Sequence, residues 1–212
     1  MWGKEARRLP HPARWPIGGR ERRAGTVGFA LPGVEIIVTD PDTGAELPLG
    51  EVGVLEVRGP NVFSGYWRMP EKTREELRDD GFFITGDLAL IDNRGYVQIV
   101  GRGKDLIISG GYNIYPKEIE LFLDALPGVK ESAVVGAPHP DFGESVVAVL
   151  VPEAGHSIDI DAVEAAARED LAGFKRPRHF EVVDELPRNT MGKVQKKELR
   201  DRFANVFQPA SG

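Results

Sequence analysis

At 212 residues with 41% hydrophobic side chains, the chain suits one large or two small folded domains and is too apolar for a disordered protein. A net charge of −6 gives no whole-chain basis for holding nucleic acid, and without cysteine there is neither a disulfide nor thiol chemistry. The four histidines, His11, His139, His156 and His179, lack zinc-ligand spacing, and no apolar run approaches the ~20 residues of a membrane-spanning helix.

Residues 1–23, "MWGKEARRLPHPARWPIGGRERR", are basic and rich in Pro and Gly. They lack the apolar core of a secretory signal. Their prolines spoil the amphipathic helix of a transit peptide. They read as an irregular start, and a cytoplasmic protein with no membrane span is expected.

From Gly25 to about Val100 the pattern is β-rich. "VEIIVTD" and "GVLEVRG" are β-branched or alternating runs, separated by a Pro/Gly/Asp turn cluster. "PEKTREELRDDG" predicts a short polar helix closed by Gly81. "GFFITGDLALIDNRGYVQIVGR" predicts two strands joined by a turn at Asp92–Gly95.

The character changes after Arg102. "PKEIELFLDAL" predicts a helix with Pro116 at its first position and Ile119, Phe122, Leu123 and Leu126 on one face. "ESAVVGA", "ESVVAVLVPE" and "HFEVVDEL" predict strands, while "IDAVEAAAREDL" and "KKELRDRFANVF" predict helices. The expected class is α+β. Residues 1–23 form the irregular segment. Residues 24–102 form a β-rich subdomain, and residues 103–212 a small α/β domain whose short sheet is flanked by helices.

Three stretches carry chemically useful residues. In "FITGDL", Asp87 follows Gly86 at the expected end of a strand, where a carboxylate can accept from both hydroxyls of a ribose. The plain alternative is a Gly-Asp turn. In "GRGKDLIISGGYNIYPKEIE", Gly101 and Gly103 make backbone rotation easy at the composition boundary. Gly110-Gly111 leaves a groove free of side chains, unless it is an ordinary β-turn. In "PRNTMGKVQKKEL", Lys193 follows Gly192. A lysine there suits a phosphate or carboxylate oxygen, although Lys196 and Lys197 nearby also allow it to be one more solvated lysine.

In this order, these stretches and "GEVGVLEVRGPNVFSGYWRMPEKT" resemble the motifs of the adenylate-forming acyl-CoA synthetase superfamily over about residues 24–207. Phe83 and Ile84 replace the first two residues of its Tyr-Arg-Thr-Gly-Asp motif. Within the superfamily, "RRAGTVGFALPGVE", "GPNVFSGYWRMPEKT" and "LPRNTMGKVQKKEL" are similar to malonyl-CoA synthetases.

The resemblance implies two steps. A carboxylic acid, here malonate, attacks the α-phosphate of ATP to give acyl-AMP and pyrophosphate. The C-terminal domain then rotates, and coenzyme A displaces AMP. Carried over, Asp87 holds the ribose hydroxyls with help from Arg102, and Lys104 is the hinge. Lys193 is the catalytic cation of the first step. Gly110, Gly111 and Tyr112 line the pantetheine path of the second. The family's phosphate loop and its Tyr-Gly-Xaa-Thr-Glu motif, whose glutamate holds Mg2+, have no counterpart in the chain. The resemblance therefore implies the C-terminal portion of a ligase, nearly inactive alone, with no metal ligand of its own and most of the acid pocket outside it. Two further readings are a ligase for another acid (methylmalonate, an aryl acid or a fatty acid) and a non-catalytic module that binds nucleotide or a partner protein.

Overall fold

A computed structural model describes residues 23–208. The irregular start expected for residues 1–23 therefore lies outside the described residues, except for Arg23. The chain divides between Gly103 and Lys104 into two compact units. The class is α+β, as the sequence predicts. Among the described residues, no helix is long and apolar enough to cross a membrane.

The first unit is an antiparallel meander of β1 (Glu35–Thr39), β2 (Gly53–Arg58), β3 (Phe83–Ile91) and β4 (Val97–Arg102), paired in chain order. One face buries Val38, Leu55, Ala89, Ile91 and Val97. Gly53 is dictated by close approach, since a Cβ there would lie 2.3 Å from the Thr39 carbonyl oxygen. Glu56 is buried in β2, where it accepts from the Thr39 hydroxyl at 2.8 Å and meets Arg78 at 3.1 Å.

The helix α1 (Pro70–Glu76) starts on a proline and buries no residue. It ends earlier than the sequence suggests. Leu77 is already extended, and Gly81 closes a separate turn by donating to the Arg78 carbonyl at 2.9 Å. The turn at Asp92–Gly95 forms as expected, with the Gly95 N–H on the Asp92 carbonyl at 2.8 Å.

The second unit is built on a long antiparallel hairpin, β7 (Val129–His139) and β8 (Gly143–Pro152). The other side of β8 is shared. The short hairpin β5 (Ile107–Ser109) and β6 (Tyr112–Ile114) joins at Gly143, and β9 (His179–Val182) runs parallel to Val147–Leu150. Residues 146–151 of β8 are an unbroken apolar run because both faces of the sheet are covered.

On one face, α2 (Pro116–Leu123) and α3 (Ile160–Asp170) bring Ile119, Leu123, Val163 and Ala167 onto Val134, Val146, Ala148 and Leu150. On the other, α4 (Lys196–Arg202) brings Leu199, with Phe203 just beyond, onto Ala133, Val135, Val147 and Val149. Asp159 caps α3, its carboxylate accepting from the Asp161 N–H at 3.1 Å. The last helix is shorter than its amphipathic pattern, and residues 203–207 continue as turns.

Candidate functional site

In the first unit, Asp87 does not end a strand. It sits inside β3, directly opposite Arg102 of β4. A register shift between Leu88 and Ala89 lets the strand continue past the Gly-Asp pair, so both Leu88 and Ala89 are buried. Gly86 has φ +72°, a left-handed conformation that favours glycine. The Arg102 Nε lies 2.8 Å from the Asp87 Oδ1, and a second limb of the guanidinium donates to the Thr85 carbonyl at 3.1 Å. The Thr85 hydroxyl accepts from the Asp87 N–H at 3.1 Å and donates to the Leu55 carbonyl at 2.8 Å. Thr85 thus holds the backbone that carries the carboxylate, a part the sequence reading did not give it.

The Asp87 side chain is 21% exposed and that of Arg102 is 53% exposed. The carboxylate is held in place and its second oxygen has no partner among the described residues. This arrangement fits a vicinal diol as a ligand. Among the described residues, no group of three or more His, Asp or Glu side chains is placed to hold a metal ion.

In the second unit, Lys104 lies in a 3-10 turn, Gly103–Asp105, and is exposed. Its neighbour Asp105 is anchored by Arg200 of α4 at 2.9 Å. Gly110 and Gly111 form the two-residue turn of the β5–β6 hairpin, with φ +56° and +82° and Ser109 opposite Tyr112. The pair forms a β-turn. The turn is open at Gly111, where a Cβ would meet nothing within 4 Å, while one on Gly110 would meet the Phe142 ring at 3.5 Å. Tyr112 projects from β6 and stacks on Phe174, with ring centroids 4.6 Å apart. Nothing in the sequence pattern marked Phe174. Burial raises the Tyr115 phenol above its ordinary value, with Glu118 adding to the shift and Lys175 opposing it.

Lys193 lies at the end of a closed turn rather than a loose segment. The Asn189 Oδ1 accepts from the Met191 N–H at 3.0 Å and the Lys193 N–H at 2.9 Å. The Asn189 N–H donates to the Lys193 carbonyl at 2.9 Å, and Arg188 pairs with Val194 across the base. Gly192, at φ +78°, makes the reversal.

The three nearby lysines then part company. Lys196 is 19% exposed at its side chain and bound to Glu120 at 2.5 Å. Lys197 is an exposed residue of α4. Lys193 is exposed on the turn, and its ammonium has no partner among the described residues. The structure brings Asp87 together with Arg102, and Gly110 with Gly111 and Tyr112, while Lys193 and Lys104 each stand apart within the second unit.

The chain belongs to the adenylate-forming, acyl-CoA ligase family of AMP-binding enzymes. The family model for AMP-binding enzymes matches residues 11–67, and the model for the AMP-binding enzyme C-terminal domain matches residues 118–193. Among curated relatives, a feruloyl-CoA synthase from Amycolatopsis sp is 50% identical over 161 residues, covering 76% of this chain and 33% of the relative.

Among solved structures, ATP-bound MatB from Rhodopseudomonas palustris is 60% identical with a TM-score of 0.85, over 91% of this chain and 38% of MatB. The o-succinylbenzoate CoA synthetase of Bacillus subtilis, solved with its acyl-adenylate intermediate, is 35% identical with a TM-score of 0.78, over 84% and 36% of the two chains. The chain spans about a third of the length of the curated relatives it matches.

Proposed function

We propose that the chain serves ATP-dependent ligation of a carboxylic acid to coenzyme A, with malonate as the acid. In the first step a carboxylate oxygen attacks the α-phosphorus, the bond to the bridging oxygen breaks, and pyrophosphate leaves. In the second, the sulfur of coenzyme A attacks the acyl carbonyl, its proton is lost, and AMP leaves.

The observation that carries this reading is the Lys193 ammonium, free and exposed on a turn closed by hydrogen bonds. A cation presented this way, without a competing carboxylate, suits the charge that builds on an α-phosphate during displacement. Asp87, paired with Arg102 on backbone held by Thr85, would accept from the ribose hydroxyls. The Gly110-Gly111 turn, open at Gly111 and beside Tyr112, would pass the thin pantetheine arm. Lys104 would be the pivot, so that Lys193 serves the first step and is withdrawn for the second. On this reading residues 24–102 act as the β-rich end of the AMP-binding domain and residues 103–212 as the moving C-terminal domain. A cytoplasmic setting, where ATP and coenzyme A are available, accords with it. The three stretches similar to malonyl-CoA synthetases support malonate.

The test is acid-dependent exchange of pyrophosphate into ATP. It is run on the chain itself and on a fusion in which the chain replaces the 38% of MatB that it matches. Malonate should support exchange in the fusion, whose acid pocket is mostly MatB's own, so the fusion tests the ligase chemistry of this chain. Exchange by the chain itself with methylmalonate, ferulate or a fatty acid but not with malonate overturns the choice of acid. No exchange with any acid, from a folded fusion, overturns the ligase reading.

A further inference from the structure

We propose that Arg188 is a positioning residue for Lys193, acting as a forked tether between the turn and the edge of the sheet. The proposal rests on the reading above that Lys193 meets the substrate.

The bonds within the 189–193 turn close it only locally, on largely exposed residues, so without a link to the sheet the turn can open. Nor do they fix its attitude toward the rest of the second unit, because every one of them begins and ends inside the turn. The apolar residues Leu186 and Val194 anchor its two ends on the sheet, which leaves rotation about the line between them. Arg188 removes that freedom. One limb of its guanidinium donates to the Gly192 carbonyl at 2.7 Å, the peptide group immediately before Lys193. The other limb is bound to the Glu131 carboxylate, 57 residues away on β7.

A planar fork with fixed donor directions does this where a single ammonium would not. A Cβ on Gly192 would meet nothing within 4 Å, so no packing at that position substitutes for the tether. The Arg188 side chain is 41% exposed and that of Glu131 is 26% exposed. The pair is solvated enough that its loss should leave global stability nearly unchanged. This separates positioning from folding.

The experiment compares the full chain with its Arg188→Ala, Arg188→Lys, Glu131→Gln and Arg188→Ala/Glu131→Gln variants. Amide hydrogen exchange is followed residue by residue, beside the labelling rate of the Lys193 amine with an amine-reactive ester. Arg188→Ala should accelerate exchange at the Met191 and Lys193 amides by about tenfold through local opening, with amides in β7, β8 and α4 unchanged. Arg188→Lys should recover only part of the protection, and Glu131→Gln should weaken it. The double variant should be no worse than Arg188→Ala, because the two residues act through one tether.

Unchanged exchange at both turn amides in Arg188→Ala overturns the proposal, and so does equal acceleration across the whole unit. Failure of the ligase reading shows itself separately, as a Lys193→Ala fusion that retains full pyrophosphate exchange.

Discussion

Glu120 of α2 and Lys196 of α4 meet at 2.5 Å around the edge of the second sheet, although their helices lie on opposite faces. The same Glu120 oxygen accepts from the Val134 N–H of β7 at 3.0 Å, so it also caps a backbone group on an edge strand. Both side chains are largely buried, at 8% and 19% exposure.

Removing either partner should therefore cost far more than a surface pair would. Glu120→Ala strands the Lys196 charge and the Val134 N–H together, and should lower unfolding free energy by ~3–5 kcal/mol. Lys196→Met should cost less, because Glu120 keeps the Val134 N–H and Lys117 at 3.7 Å. The double variant Glu120→Leu/Lys196→Met should recover much of the loss, since no charge is left buried. Urea unfolding of the three variants checks the order. A double variant as poor as Glu120→Ala would show that packing, not charge, decides the site.

The first unit carries an acid-sensitive turn. Burial pushes the Asp92 carboxyl up, but backbone N–H groups of Tyr96 and Arg94 and the Arg23 guanidinium outweigh it, leaving the group below its ordinary value of 3.8. Asp40 is also lowered, first by the Thr43 backbone N–H and then by the Thr43 hydroxyl. A folded pKa below the unfolded one means that the stability is fully present above the unfolded value. It is lost as pH falls through the folded value. The first unit should therefore lose stability from about the ordinary aspartate value of 3.8 downward. Asp92→Asn should flatten that acid limb by lowering stability near neutral pH toward the level the native chain has in acid, because the charge that Arg23 and the two N–H groups favour is gone. A titration of unfolding against pH for the two proteins decides it, and an unaltered limb in Asp92→Asn would contradict the assignment.

The two half-reactions should separate by residue. In the MatB fusion, Lys193→Ala should slow acid-dependent pyrophosphate exchange at least ~100-fold, the scale of losing one charge-stabilising donor at a transition state. It should spare thioester formation from supplied acyl-adenylate. Lys104→Pro should spare exchange and slow thioester formation, because a stiff pivot holds the first arrangement. Asp87→Ala should weaken AMP binding to the fusion by about 10–100-fold, as expected for the loss of hydrogen bonds to a charged acceptor. Equal losses in both half-reactions for Lys193→Ala and Lys104→Pro would contradict the division of labour.

What the sequence shows and what it hides follow from the range of the interactions. The helix α2 was legible because its signals are local, namely Pro116 at the first position and the spacing of Ile119 and Leu123. The Asp92–Gly95 turn and the Gly110-Gly111 turn were legible for the same reason. Asp87 was misplaced at a strand end because Gly-Asp is a turn signal, and only pairing across to β4, with its register shift, carries β3 onward. The tether of Arg188 to Glu131, the stacking of Tyr112 on Phe174 and the pairing of Lys196 with Glu120 join residues 57, 62 and 76 positions apart. No local pattern announces such pairs. The contrast between the free Lys193 and the engaged Lys196 follows from the last of them.

The Gly110-Gly111 turn allows conformation and ligand access to be told apart by substitution. Gly111 has φ +82° and a Cβ there would meet nothing within 4 Å, so any cost of a side chain there comes from the backbone alone. Asparagine tolerates the left-handed region, whereas a β-branched residue does not. Gly111→Asn should therefore leave stability nearly unchanged, while Gly111→Val should cost about 1–2 kcal/mol or more. If pantetheine threads past this turn, both variants place a side chain in its way. Both should then slow thioester formation from supplied acyl-adenylate in the fusion while sparing pyrophosphate exchange. If the glycines serve only the turn, Gly111→Asn should keep the thioester step at full rate. A stable, fully active Gly111→Asn fusion would remove the turn from the coenzyme A path while leaving Lys193 and Asp87 untouched as candidates.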